Sequence, residues 1–436
     1  MPRIRVIRTT DPTAMADLAT MRQSLLLDHL ILDEPPQTKT VRDIIAEVRR
    51  RGDDAVSEIT ARVDHATVPP DQVRVPPERI ARAQATTSPA LRAAIQKAIE
   101  AVRQFQQSIL LREPSPIQTD GLTLSLRVRP LRRVGVCVPG AAAPLLSSVI
   151  HSALPAQVAG VKEIAVVAPP RHNGDIHPTI LAVCGQLGIT EVYRMGGAQA
   201  IAALALGTRQ VPRVDKIVGP GGMYVQLAKR YLYGLVDIDM FAATTEVLII
   251  ADRTARPAFV AADMLAQAEH NPGSAILLTD DESLLDKVLT ELDRQLAALP
   301  TANAAAKCLE ELGAIVIVRN MDEAAEMADQ MAPEHLQIET ANPRDLADRI
   351  NAAGAVFLGH FSPESAGDYV AGPSHTLPTG GTARFWSGLS SLSFLRTNSM
   401  IEYTAEGIRR DAPAIDLIGR AENLEAHARS ATIRAE

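Results

Sequence analysis

Short runs of β-branched and aliphatic residues, recurring between Ala- and Leu-rich stretches, constrain this chain more than any other feature. The runs stand at 134–138, 163–168, 191–193 and 215–218, and a second series follows at 247–250, 275–279, 314–318 and 355–358. A short run that is apolar at nearly every position has no face to offer water, so it predicts a strand covered on both sides. The helical stretches between runs supply the crossovers that parallel strands need. Two such series predict an α/β fold with two parallel sheets.

The pattern is that of two Rossmann-like domains with an N-terminal helical arm and a C-terminal helical tail. A chain of 436 residues has room for two or three cores. The expected boundaries are 1–35 for the arm, 36–137 with 246–388 for a first α/β domain, 138–245 for a second, and 389–436 for the tail. Apolar residues at helical spacing predict amphipathic helices over 39–51 and 89–106. From 360 to 387 Gly, Pro, Ser and Thr crowd together and periodicity is lost, which predicts a long loop of functional rather than architectural use. Helical patterning is expected again from Leu389 and ends over 422–434.

Composition excludes several classes of partner. A net charge of −7 and an aromatic share of 3% provide neither a basic surface nor stacking rings for nucleic acid. Cys137, Cys184 and Cys308 are odd in number and far apart, without a CxxC pair, which fits a reducing cytoplasm. The N-terminus has no apolar signal core, and no stretch approaches the roughly 18 apolar residues of a membrane span, so no membrane partner is expected.

Candidate chemistry is scattered. Gln267 and His270 are three apart at the end of a predicted helix and project from one face, where an amide oxygen and an imidazole nitrogen suit zinc or a similar divalent ion. A histidine at a helix end is more often only a cap. Glu334 and His335 follow Pro333 where it interrupts a helical run, and set a carboxylate beside a proton-exchanging ring; an exposed pair is the plainer alternative. Asp368 and His375 add another such couple in the long loop, and His427 sits near the end. Gly219-Pro220-Gly221-Gly222 follows a strand and opens a helix, as an anion-binding turn would, but Tyr224 stands where the dinucleotide fingerprint requires its last glycine. The turns at Pro139-Gly140 and Arg194 to Gln199 have the same strand-to-helix setting.

Together these segments resemble the histidinol dehydrogenase family in identity and order. The matching stretches are 134–140, 196–202, 219–221, 238–240, 267–270, 332–336, 367–389 and 422–427, with Arg434 beyond. The resemblance implies one zinc per subunit held by Gln267, His270, Asp368 and His427. It also implies two successive NAD-dependent oxidations of L-histidinol to L-histidine through a bound aldehyde, the last step of histidine biosynthesis. His335 would be the general base, and Glu334 would activate the water that hydrates the aldehyde. Substrate contacts would come from Thr245, Gln267, His270, His335, Asp368, His375, Glu422 and His427. An intertwined homodimer is implied, in which the tail carries Glu422 and His427 into the neighbour's site.

The chain departs from the family pattern mainly at the cofactor. Cys137 stands where a Tyr is usual and Gly222 where an Asn is usual, which leaves Gln199 as the retained side chain of three familiar NAD contacts. Each lost hydrogen bond is worth on the order of 1 kcal/mol, so weaker NAD binding is expected. Ala243-Thr244-Thr245-Glu246 replaces Gly-Pro-Ser-Glu, and Ser374 replaces an Asn. A paralogue acting on another alcohol, such as a sulfonated diol, and a zinc-binding homologue without turnover are the alternatives.

Overall fold

Which strands find a partner on each side, and which do not, divides the chain into three sheets. The computed structural model describes residues 4–140, 144–270 and 273–436. In chain order the strands are β1 (Arg5–Arg8), β2 (Ile117–Thr119), β3 (Leu122–Pro130), β4 (Arg133–Cys137), β5 (Glu163–Ala168), β6 (Val192–Arg194), β7 (Lys216–Val218), β8 (Asp237–Ile238), β9 (Thr245–Ala251), β10 (Gly273–Thr279), β11 (Gly313–Ile317), β12 (His335–Glu339), β13 (Ala355–Leu358) and β14 (Leu395–Tyr403). One parallel sheet has the order β1-β11-β10-β9-β12-β13, the other β6-β5-β4-β7-β8. The third, β14-β3-β2, is antiparallel.

Each parallel sheet is sandwiched, as its apolar runs require. On the five-stranded sheet Val134, Val136 and Val166 pack with the Pro89–Ser108, Leu146–Ala159 and Pro178–Gln186 helices. Ala165, Val167 and Ile217 pack on the other face with the Gln37–Arg51, Asp53–Asp64, Gly197–Leu206 and Met223–Leu232 helices. The Gln37–Arg51 helix turns Val41, Ile44 and Val48 inward, the i, i+3, i+7 stripe of an amphipathic helix. Each such fully buried side chain contributes roughly 1.5–3 kcal/mol. The six-stranded sheet is covered on one face by the Pro257–Ala268, Glu282–Leu296 and Ala302–Leu312 helices and on the other by Ala14–Gln23 and Met321–Met331.

This packing corrects the expected grouping of 36–137 with 246–388. The helices between 37 and 108 bury their apolar faces against the five-stranded sheet, and β4 is a strand of that sheet. The N-terminal arm also supplies an edge strand, β1, to the six-stranded sheet. The tail begins with β14, paired to β3 from Leu395↔Pro130 to Tyr403↔Leu122, before its helices Ala405–Ala421 and Glu425–Thr432. β3 is half-buried and alternates Leu122, Leu124, Leu126 and Val128 with polar residues, whereas β14 is largely exposed and carries no such alternation. Among the described residues, no helix is long and apolar enough to cross a membrane.

A buried ion pair shapes the crossover after β7. Lys229 Nζ donates to Asp239 Oδ1 and to the Gly219 carbonyl, each at 2.7 Å, while Asp239 accepts from Gly219 N at 2.7 Å and Met240 N at 2.8 Å. Gly219 has φ +106°, and any side chain there would run into the Cys137 carbonyl. Both charged groups are 1% exposed, so removing one strands the other without solvent. Lys229→Met should therefore lower the unfolding free energy by about 3–5 kcal/mol in denaturant titration. A loss below about 1 kcal/mol would show that the pair is replaceable there.

Candidate catalytic and metal site

The chain reaches β12 through a tight exit from the Met321–Met331 helix. Ala332 takes up the left-handed conformation at φ 46°, and Pro333 then turns the backbone into the strand. Glu334 and His335 thus stand at the amino end of β12, beside the amino end of β9, with His335 in register with Val247. The expected helical run across Pro333 ends instead in a strand.

Glu334 is the centre of the arrangement. Its Oε2 accepts from Thr245 Oγ1 at 2.6 Å and from Glu246 N at 3.0 Å. Burial pushes its carboxyl up to about 8, aided by the nearby charges of Glu246 and Asp368 and opposed by those two hydrogen bonds. His335 Nδ1 faces the Glu246 carbonyl at 3.1 Å. A carbonyl only accepts, so Nδ1 holds the proton and Nε2 the lone pair, which leaves Nε2 as the basic nitrogen.

Behind Thr245 lies the metal candidate. Gln267, fully buried near the end of the Pro257–Ala268 helix, donates from Nε2 to Thr245 Oγ1 at 2.8 Å, while its Oε1 is buried without a partner. An orphaned amide oxygen of fixed orientation fits a cation. His270 follows the same helix end and falls within electrostatic range of Asp368, His335 and His375. Asp368 sits on a short helix, Glu364–Tyr369, inside the stretch expected to be a loop, with Oδ1 3.7 Å from His375 Nδ1. Burial disfavours its charge, yet His375, His335 and His270 together hold it below the usual range. Amide oxygen, imidazole and carboxylate are a donor set for zinc.

The tail residues are placed elsewhere. Glu422 closes the Ala405–Ala421 helix and His427 rides on Glu425–Thr432, both exposed. Among the described residues no three His, Cys, Asp or Glu side chains gather as a metal site, so His427 does not join His270 and Asp368 within one chain.

The expected cofactor residues cluster at the carboxyl ends of the five-stranded sheet. Cys137 ends β4 and is buried, which pushes its thiol up to about 11. Gln199 is buried in the first turn of the Gly197–Leu206 helix, 3.5 Å from Thr60 Oγ1. Gly222 caps the Met223–Leu232 helix at φ −70°, a conformation open to any residue, with free space where a side chain would project. In the glycine turn the Gly219 amide is occupied by the Asp239 carboxylate, so it is not free for a ligand anion.

Several residues of the site escaped notice in the sequence. Glu246 accepts from Gly380 N at 3.1 Å and faces Arg22 of the N-terminal arm at 3.9 Å; Arg22 also donates to the Met331 carbonyl at 2.8 Å. The arm thus braces the exit into Glu334. Glu364, 3% exposed, brings Oε2 to 3.9 Å from His335 Nδ1 and is pushed up to about 8 by burial. His151, fully buried in the Leu146–Ala159 helix, stacks on His375 at 4.6 Å, and its carbonyl accepts from Ser374 Oγ at 2.8 Å, which joins the two lobes. A period-two alternation, His335-Leu336-Gln337-Ile338-Glu339, was the available signal for β12.

Two sandwiched parallel sheets, with a buried Glu–His pair at the amino ends of one and glycine turns at the carboxyl ends of the other, define a two-lobed α/β enzyme. The family model for histidinol dehydrogenase matches residues 32–435. Histidinol dehydrogenase of Rhodopirellula baltica is 48% identical over 398 residues, 91% of this chain and 86% of that protein. The Moorella thermoacetica enzyme is 46% identical, covering 91% and 94%. The crystal structure of histidinol dehydrogenase from Elizabethkingia anophelis superimposes with a TM-score of 0.92 at 35% identity, over 100% of this chain and 98% of that one. The chain belongs to the histidinol dehydrogenase family, a family of oxidoreductases.

The carboxyls in this lobe make stability depend on pH. Glu339, fully buried at the far end of β12, is raised from 4.5 to about 8 by burial and by the charge of Asp263. A carboxyl raised in the fold stabilises fully below its unfolded value, and that stability is lost as pH rises toward the folded value. Between pH 6 and 8 the protein should lose stability, with on the order of 1 kcal/mol per pH unit traceable to this group. Glu339→Gln should flatten that part of the dependence in denaturant titrations; an unchanged slope would mean Glu339 ionises freely in the fold.

Proposed function

We propose that this protein is a histidinol dehydrogenase that holds one zinc per subunit and uses NAD to oxidise L-histidinol through histidinal to L-histidine, completing histidine biosynthesis in the cytoplasm. The observation that carries the proposal is the hydrogen-bonded series from Gln267 through Thr245 to Glu334, which leaves a buried amide oxygen free beside a Glu–His pair. Three buried, unpaired cysteines accord with a reducing compartment.

Gln267, His270 and Asp368 would hold the zinc from one subunit and His427 from the other. When bound, zinc supplies a positive anchor for the imidazole and amino nitrogens of the substrate. His335 Nε2 would take the hydroxyl proton, and NAD when bound would supply the hydride acceptor. Glu334, once ionised, is basic enough to draw a proton from water and hydrate the aldehyde, after which His335 acts as base again. Thr245 orients Glu334; His375 lines the substrate space, with His151 behind it. NAD would bind at the carboxyl ends of β4, β6 and β7, where Cys137, Gln199 and Gly222 stand.

A homodimer with exchanged tails accounts for the exposed position of Glu422 and His427. It also accounts for the aliphatic surface beside them, with Leu417 71% and Ile418 61% exposed. A dimer would cover that surface and complete each metal site in trans.

Purified zinc-loaded protein given histidinol and NAD should form two NADH per histidinol; sustained absence of NADH overturns the proposal. Glu334→Gln should still make the aldehyde but slow acid formation by about 100-fold, the usual worth of a lost general base. Equal loss of both half-reactions would remove Glu334 from the hydration step. Mixing inactive His427→Asn with inactive His335→Asn subunits should restore part of the activity, since some mixed dimers carry one intact site. Mixtures as inactive as either variant would place His427 in cis.

A further inference from the structure

Glu334 and His335 both lean on the main chain of one residue. The Glu246 amide donates to Glu334 Oε2 at 3.0 Å and the Glu246 carbonyl faces His335 Nδ1 at 3.1 Å, so the two peptide planes of a single residue carry both members of the pair. A rotation of that residue moves both partners at once. What holds it is its side chain, which lies in a residue 3% exposed. Oε1 accepts from Gly380 N at 3.1 Å, and the Gly381 amide acts in the same sense. Oε2 faces the guanidinium of Arg22 at 3.9 Å.

Arg22 is itself fixed from the core. It stands in the last turn of the Ala14–Gln23 helix, beside Met21, which packs with Ala14 and Leu18 against the six-stranded sheet. β1, paired in register with β11, ties down the chain ahead of that helix. The nitrogen that faces Glu246, Nη2, also donates to the Met331 carbonyl at 2.8 Å, one residue before the left-handed turn at Ala332 that leads into Glu334. Beyond the helix the arm runs past the turn that holds Glu246. Gly380 has φ +61°, and a side chain there would come within 2.8 Å of the Leu25 carbonyl. Arm, glycine turn, helix exit and the start of β9 therefore meet around Glu246.

A buried ion pair is a poor source of stability, because the desolvation of two charges offsets their attraction and apolar residues of like size often serve as well. Burial disfavours the charge of Arg22 and of Glu246, and each opposes that effect in the other. Arg22 Nε is moreover buried without a partner. Stability gives no reason for such a pair; position does. We infer that Arg22 of the N-terminal arm is a positioning residue for both catalytic side chains: its guanidinium holds the Glu246 carboxylate and the Met331 carbonyl, and these fix the two stretches of backbone that present Glu334 and His335. This rests on the functional reading above, in which His335 is the base of both oxidations and Glu334 the base of the hydration between them. Without the guanidinium, Glu246 loses the cation that offsets its burial, its side chain turns away, and its amide and carbonyl follow. A displacement of about 1 Å at a reacting group costs on the order of 100-fold in rate. Arg22 acts through Glu246 and Met331, without touching substrate.

The test measures steady-state NADH formation by the full-length zinc-loaded protein, with histidinol and with histidinal as separate substrates, together with zinc content. Arg22→Met should lower kcat about tenfold or more with either substrate, while KM for histidinol stays within about twofold of the parent and zinc content is unchanged. Glu246→Gln, which leaves Arg22 as the uncompensated charge, should slow both oxidations in the same way. The double variant Arg22→Met/Glu246→Gln buries no charge and keeps an oxygen for Gly380 N, so it should be faster than either single variant. An Arg22→Met protein with the kcat of the parent overturns the positioning role, as does a double variant whose loss is the product of the two single losses. A loss confined to KM or to zinc content also overturns it, since that marks damage to the substrate or metal site rather than misdirection of the pair. If Arg22→Met does not fold, the double variant is compared with Glu246→Gln: a faster double variant supports the role, and an equal or slower one overturns it. A parent protein that makes no NADH from histidinol overturns the functional reading and the positioning role with it; every other outcome is read against an active parent.

Discussion

The two hydrogen bonds that Glu334 Oε2 accepts from Thr245 and Glu246 are the constraint on which the site depends. They join residues 89 and 88 positions apart and lock the amino ends of β9 and β12 together. The direction of every neighbouring bond follows. The single hydroxyl proton of Thr245 goes to Glu334, so Thr245 can only accept from Gln267, and the amide must present its nitrogen inward and its oxygen outward. The Glu246 carbonyl is left to receive His335 Nδ1, which sets the tautomer of the ring. One carboxylate thus orients an unpartnered amide oxygen on one side and a basic nitrogen on the other.

The two lobes contribute opposite ends of their sheets. Open parallel sheets collect ligands at the carboxyl ends of their strands, and the five-stranded sheet conforms, with its glycine turns there. The six-stranded sheet uses its amino ends instead. The segment around 374–380 closes the gap, through Ser374 to His151, Thr379 to Ala243 at 2.6 Å and Gly380 to Glu246. In the proposed reaction, such a junction would place the reacting carbon between a cofactor surface and a base that belong to different cores.

Much of the architecture was legible because burial on both faces leaves a plain signal. The runs at 134–138, 163–168 and 275–279 all became strands within a residue or two of their apolar limits. β12 was hidden because three of its five residues are polar and Pro333 precedes it, so propensity pointed to a broken helix. β14 was hidden because it is largely exposed, whereas the Leu122, Leu124, Leu126, Val128 alternation of β3 was a readable strand signal that the parallel series outweighed. Which sheet the 37–108 helices would cover could not be seen, since an amphipathic stripe records that a face is buried and not against what. At the site, residue types and their order were visible in Gln267, His270, Glu334, His335 and Asp368. The parts that only folding brings near, Glu246, Glu364, His151 and Arg22, had no local mark.

The ribbon of β2, β3 and β14 has a consequence for the life of the chain before assembly. β14 covers β3 along its whole length, from Leu122 to Pro130, and belongs to a segment near the C-terminus. During synthesis, β3 emerges long before β14 exists, and its unpaired amides and carbonyls can template pairing with another chain. Leu124 and Leu126 lie on that strand, and Ile117 on β2 is 64% exposed. A product truncated before residue 395 would keep this edge bare for good, so incomplete chains of this protein are natural seeds for aggregation, and completion of the tail is what makes the rest of the molecule safe to accumulate.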